Sequence, residues 1–240
     1  MNFEVWCKTD RGLRRDTNQD SYLINRELGL FIVADGMGGH TGGEVASSMA
    51  VTTVEEVMMA PELRNDHARE AIVKAYSEAS HRIFDKASSE YSDLSGMGTT
   101  MVLAHIRGKS LFIGNVGDSR CYLHRRPSLW QVTEDHSLIN EQIRAGLLAE
   151  DQAHLYVGRN VITRSVGYER EVFADVIERD IVPGESYLLC SDGLTGMVPD
   201  QKIAEILNSY PPDRAAKLCL DQALANGGDD NVTVLVLHFF

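Results

Sequence analysis

Apolar positions along the chain follow two rhythms. Leu30–Ala34, Thr99–Ile106, Ser110–Val116, Arg120–Leu123, Leu129–Thr133, Glu171–Glu178, Ser186–Ser191 and Val232–Phe239 are short and rich in β-branched or apolar residues. Such runs predict strands. The other rhythm repeats at three and four residues. Ile72, Ala75, Tyr76, Ala79, Ile83 and Phe84 mark one face of a helix predicted over Asp66–Ser88, behind an Asn65/Asp66 cap. Glu44–Met59, Gln201–Asn208 and Pro212–Ala225 read the same way. Gly108-Lys109 and Pro183-Gly184 are turn pairs between neighbouring strands and predict antiparallel hairpins. Strands outnumber helices and come in runs, which favours α+β layers over a doubly wound parallel sheet. No linker, repeat or low-complexity tract divides the chain, so residues 1–240 are expected to form one domain. The mixed, Gly-punctuated stretch 137–168 predicts a small flap on that body.

Composition narrows the picture only by exclusion. The chain is 43% hydrophobic but holds no apolar run long enough to span a bilayer. MNFEVWCKTDRG becomes charged too early for a secretory signal. Cys7, Cys121, Cys190 and Cys219 lack CxxC spacing, which argues against a zinc site or disulfide framework and makes the cytoplasm the expected compartment. The net charge of −12 leaves no basic stripe for nucleic acid.

The positions of the acidic residues carry more than their number. Asp20 immediately precedes a further predicted strand starting Ser21-Tyr22-Leu23, Asp35 ends Leu30–Ala34, Asp118 follows Ile113–Gly117, Asp192 ends YLLCS and Asp230 sits just ahead of Val232. Any one of them could simply turn the chain. Three, however, sit in glycine-flanked pieces, ADGMGG, NVGDSR and SDGLTG, where backbone can pack closely and carbonyls are free to bind. Carboxylates gathered at one sheet rim need compensation, and hard divalent cations such as Mg(II) or Mn(II) supply it.

RDTNQD, ADGMGGHTGGE, the GTT at 98–100, NVGDSR, LLCSDGLT and GGDDNVTVLVL occur in that order from about Asp10 to Val236. The chain thereby resembles the metal-dependent serine/threonine protein phosphatases (PPM, protein phosphatase 2C-like), in the bacterial single-domain form. The resemblance implies a central β-sandwich of two antiparallel sheets flanked by helices, a four-layer αββα arrangement with a metal centre at one end. It implies that Asp35 bridges two ions and the Gly36 carbonyl binds one of them. Asp192 and Asp230 would complete the second ion, with Asp20 binding directly or through water. Asp118 with Asp192 would hold a weaker third ion. Arg15 matches the arginine that grips the substrate phosphate. The implied reaction is hydrolysis of phosphoserine and phosphothreonine on proteins by metal-activated water, with no phospho-enzyme.

Animal relatives are thought to protonate the leaving group with a His directly after the DG pair. Met37 stands there, so His40 at the end of GMGGH is the expected donor. The resemblance further suggests a eukaryotic-like Ser/Thr kinase as partner, and a monomer is expected. A dinucleotide fold is excluded because Thr41 occupies the third glycine position of G-x-G-x-x-G counted from Gly36. GKS at 108–110 is not a P-loop, since Leu103 stands at the first glycine position. His81, His105, His124 and His154 show no triad or zinc spacing and read as structural or exposed. Two rivals remain: a catalytically inactive phosphoprotein-binding module of the same fold, which should have lost a metal carboxylate, and a phosphatase for small phosphate esters.

Overall fold

Strands buried on both faces build the centre of the protein, which was obtained as a computed structural model describing residues 2–38, 41–60, 68–89, 93–149, 152, 158 and 161–240. In chain order, β1 (Phe3–Asp10), β2 (Asp20–Asn25) and β3 (Leu30–Met37) precede helices α1 (Gly42–Met59) and α2 (Ala68–Ala87). A run of strands follows: β4 (Gly98–Thr99), β5 (Met101–Arg107), β6 (Ser110–Val116), β7 (Arg120–Arg125) and β8 (Ser128–Gln131). Then come α3 (Leu138–Arg144), β9 (Asp175–Asp180) and β10 (Ser186–Cys190). The chain closes with α4 (Asp192–Thr195), α5 (Asp200–Ser209), α6 (Pro212–Ala225) and β11 (Val232–Phe239).

All pairings between these strands are antiparallel. One sheet runs β1-β11-β10-β7-β8, and the other runs β2-β3-β5-β6-β9 with β4 on the end of β3. Period two sorts the side chains into three apolar layers. Phe31 and Val33 of β3, Val102 and Ala104 of β5, and Leu235, Leu237 and Phe239 of β11 meet between the sheets. Leu30, Ile32 and Ala34 face the other way, against Ala46, Ala50 and Val54 of α1 and Ile72, Ala75 and Tyr76 of α2. Val232, Val234 and Val236 likewise face Ala215, Cys219 and Ala223 of α6. The architecture is therefore helix, sheet, sheet, helix. Each fully buried large apolar side chain in these layers is worth roughly 1.5–3 kcal/mol.

Three local expectations need correction. Pro183-Gly184 does not close a hairpin. Strand β9 pairs with β6 in one sheet while β10 pairs with β7 and β11 in the other, so this turn carries the chain across the sandwich. Strand β1 was not predicted; only Val5 in it is fully buried, so the alternation there is faint. The ninth strand begins at Asp175 rather than Glu171. The Gly108-Lys109 hairpin and the long second helix agree with the pattern, although residues 66 and 67 fall outside the described part. All four cysteines are free. Of the flap at 137–168, α3 and residues 161–168 are described, while much of 150–160 is not.

Candidate metal centre

The sheet edges and the loops that leave them bring the five aspartates together. Asp20 and Asp35 stand directly opposite each other where β2 pairs with β3. Asp118 leaves the end of β6, Asp192 opens α4 straight after β10, and Asp230 precedes β11. Glycines make this convergence possible. A Cβ on Gly36 would lie 1.9 Å from the Gly43 carbonyl oxygen, and one on Gly193 would lie 1.9 Å from that of Asn231. Strand β3 and helix α1 thus cross backbone on backbone, as do α4 and the Asp230-Asn231 turn.

Hydrogen bonds fix the frame. The Asp35 carbonyl accepts from the Thr99 hydroxyl at 2.8 Å and the Thr100 N–H at 2.9 Å, which gives the GTT motif its role. Asn231 accepts from the Gln19 N–H at 2.7 Å and donates to the carbonyls of Arg11 and Thr17, so the loop carrying Arg15 is tied to β11. His136 receives the Gly117 N–H on Nδ1 at 3.0 Å, and its Nε2 lies 3.0 Å from Asp175. It therefore holds Gly117, the residue immediately before Asp118. Asn231 and His136 serve the site at one remove, and their roles were not legible because their partners are distant in sequence.

A cavity of about 420 Å³ is lined by Arg15, Asp35, Gly36, Asp118, Asp192 and Asp230. Asp20 sits beside it, where one carboxylate oxygen accepts from Ser191 at 2.8 Å and Thr233 at 2.6 Å. Its other oxygen, and Oδ1 of Asp192, are buried without a hydrogen-bond partner among the described residues. Burial, and then the charge of the neighbouring aspartates, holds Asp35 well above the usual carboxylate range. Burial pushes Asp20 up to about 7, against the two hydroxyl bonds that favour its anion. Asp118 rises to about 7 through burial and then the charge of Asp192. Asp192 itself is raised by burial and by Asp230. Arg15 reaches only one of the group, donating to Asp230 at 2.7 Å.

These features fit divalent cations. Bunched, desolvated carboxylates with unpartnered oxygens are stabilised as anions by hard, oxygen-seeking ions. Among the described residues no three such side chains already form a closed ligating cluster. Arg15 draws Asp230 towards itself. His40, the expected proton donor, lies outside the described residues. His105 and His124 are buried in strands away from the cavity, consistent with structural roles.

The family model for Protein phosphatase 2C matches residues 13–225. The chain belongs to the protein phosphatase 2C family. It is 39% identical over 237 residues to the serine/threonine phosphatase stp of Listeria monocytogenes serovar 1/2a, covering 96% of this chain and 94% of that one. It superposes on the crystal structure of the Mycobacterium tuberculosis serine/threonine phosphatase PstP/Ppp with a TM-score of 0.90, at 34% identity over 99% of this chain and 98% of that one. It is also similar to the catalytic domain of PstP in complex with two manganese ions, with a TM-score of 0.87 and 33% identity over 98% and 97% of the two chains. These relatives and the present chain share the fold.

Proposed function

We propose that this member of the protein phosphatase 2C family is a metal-dependent phosphatase that hydrolyses phosphoserine and phosphothreonine on proteins. The observation that carries the reading is one cavity lined by Asp35, Asp118, Asp192, Asp230 and Arg15, with desolvated carboxylates. Asp20, Asp35, the Gly36 carbonyl, Asp192 and Asp230 would hold two divalent ions, Mn(II) or Mg(II), and Asp118 with Asp192 a weaker third. When bound, such ions make water a nucleophile near neutral pH and screen the phosphoryl charge. Arg15 then binds substrate: its planar fork can take two phosphoryl oxygens, in place of its pairing with Asp230. His40 is the proposed donor to the departing alkoxide.

Protein substrates are favoured over small esters by the shape of the site. The central cavity shares Asp118, Asp192 and Asp230 with a cavity of about 600 Å³ on one side, and Met37 and Ile162 with one of about 430 Å³ on the other. A phosphate held in the middle leaves room for a peptide to run both ways. An inactive binding module is disfavoured because all five carboxylates are retained. The reaction needs a Ser/Thr kinase of the eukaryotic-like kind to supply its substrates, and a cytoplasmic monomer suits that role. Among the described residues no helix is long and apolar enough to cross a membrane.

Phosphothreonine peptide turnover with added Mn(II), with excess chelator, and in Asp192→Ala tests the proposal. Turnover only with the metal, and its loss in Asp192→Ala, is expected. Full turnover in chelator after extensive dialysis would refute it.

A further inference from the structure

The smaller of the two flanking cavities has a distinct chemistry. Its floor is apolar, formed by Met37, Ile162 and Val172. Tyr168 and Phe173 line it too, 63% and 77% exposed. Large aromatic surface left in water beside a candidate active site points to a partner that covers it. Glu169 and Glu171 also line the groove; both are exposed, and neither has a cationic partner among the described residues.

Among the described residues, Arg164, which itself lines the groove, and Arg170 are already committed. Arg164 donates from one nitrogen to the Phe173 carbonyl at 3.0 Å and to Asp175 at 3.1 Å, which ties the two ends of the segment together. Arg170, between the two glutamates, pairs with Asp85 at 3.2 Å. The groove therefore combines an apolar floor, two aromatic rings and unneutralised negative charge, and it opens into the phosphate site through Met37 and Ile162.

We infer that this groove is a subsite for an arginine side chain of the phosphoprotein, placed within a few residues of the phosphorylated Ser or Thr. The inference rests on the phosphatase reading above. Arginine matches the apolar, aromatic and acidic surfaces of the groove, and the one guanidinium among its described lining residues, Arg164, is held by the Phe173 carbonyl and Asp175. Its methylene stem covers the floor, its planar guanidinium stacks on Tyr168 or Phe173, and its charge answers Glu169 and Glu171. A purely apolar side chain would strip water from the two carboxylates without replacing it, and an acidic one would be repelled. Lysine offers charge without a stacking plane, so it ranks second.

Phosphothreonine peptides bearing a single Arg, Lys, Ala or Glu at each of three positions on either side of the phosphorylated residue test this with Mn(II)-loaded protein. For at least one position, kcat/KM is expected to favour Arg over Glu by about fivefold or more, as exposed ion pairs and cation–π contacts allow. The readout is the Arg-to-Glu ratio within each enzyme, so a general loss of activity does not enter it. Glu169→Lys with Glu171→Lys should invert that ratio, and Phe173→Ala should reduce the Arg-to-Ala ratio. An active enzyme that is indifferent to these substitutions, or whose preference survives the double charge reversal, overturns the subsite alone. An enzyme inert towards both the peptides and a small aryl phosphate overturns the phosphatase reading and the subsite with it.

Discussion

Arg15 holds Asp230 with a side chain about half open to water, and such exposed pairs contribute little to stability. Its worth lies in what the guanidinium can do once a phosphate arrives. Arg15→Ala is therefore expected to raise the apparent KM for phosphopeptide about tenfold or more, the weight of one charge-assisted contact, with little change in melting temperature. Arg15→Lys should recover only part of that loss, because an ammonium lacks the fork. Steady-state kinetics on the two variants decide it, and an unchanged KM in Arg15→Ala would remove this residue from the site. Asp118 is the residue that would distinguish the proposed weaker ion from the other two. In Asp118→Ala, Asp35, Asp192 and Asp230 remain in the cavity. Two tightly bound ions should persist while phosphopeptide turnover falls steeply. Mn(II) titration followed by structures of parent and variant soaked in Mn(II) would show whether an ion near Asp118 alone is lost.

At the scale of elements, the site depends on backbones that touch. Helix α4 presents Asp192 only because Gly193 lets it lie against the Asn231 carbonyl. Gly193→Ala should push α4 off that turn, destabilise the protein by about 1–3 kcal/mol, and weaken metal binding as well. Chemical denaturation and Mn(II) titration of the same sample would test both parts, and a variant with parental values in both would contradict the packing argument. The same contacts explain what could be read from the sequence. DG pairs at predicted strand ends announced the aspartates because glycine and carboxylate are adjacent in the chain. Strands such as β3 and β11 were legible because both of their faces are buried in a continuous apolar run. Strand β1 hid because one partly exposed edge strand shows little alternation. Asn231 and His136 hid for a different reason: an Asn or His signals nothing until its partners in other elements are known. Pro183-Gly184 misled because a turn motif does not say which sheet the next strand joins.

For the molecule as a whole, gathering like charges has a cost that pH reveals. Asp118 titrates near 3.8 when unfolded and near 7 in the metal-free fold. Between those values the folded chain binds more protons than the unfolded one, so this group makes stability fall as pH rises through the window. Above about 7 the loss from Asp118 is complete. Asp118→Asn should accordingly stabilise the chelated protein at pH 8, by something on the order of 1–3 kcal/mol, and leave it nearly unchanged at pH 4. Thermal melts at the two pH values in chelator would check the sign; an equal effect at both would show that charge is not the cause. His105 acts oppositely. Burial lowers it to about 4, so its contribution weakens as pH drops from the ordinary histidine value towards that point.

Strands β1 and β11 pair along their full length and stand first and last in the order of elements. In the sheet, β1 lies at the edge and has β11 as its neighbour. A ribosome delivers the chain N-terminus first, so β1 is made before its partner, and its backbone waits unsatisfied until β11 emerges. The loop bearing Arg15 waits with it, since Asn231 is what anchors that loop. Chemistry and closure consequently arrive together. Before β11 emerges, a nascent chain has neither the anchored Arg15 loop nor a partner for β1, and the open edge of that strand is exposed to unwanted pairing.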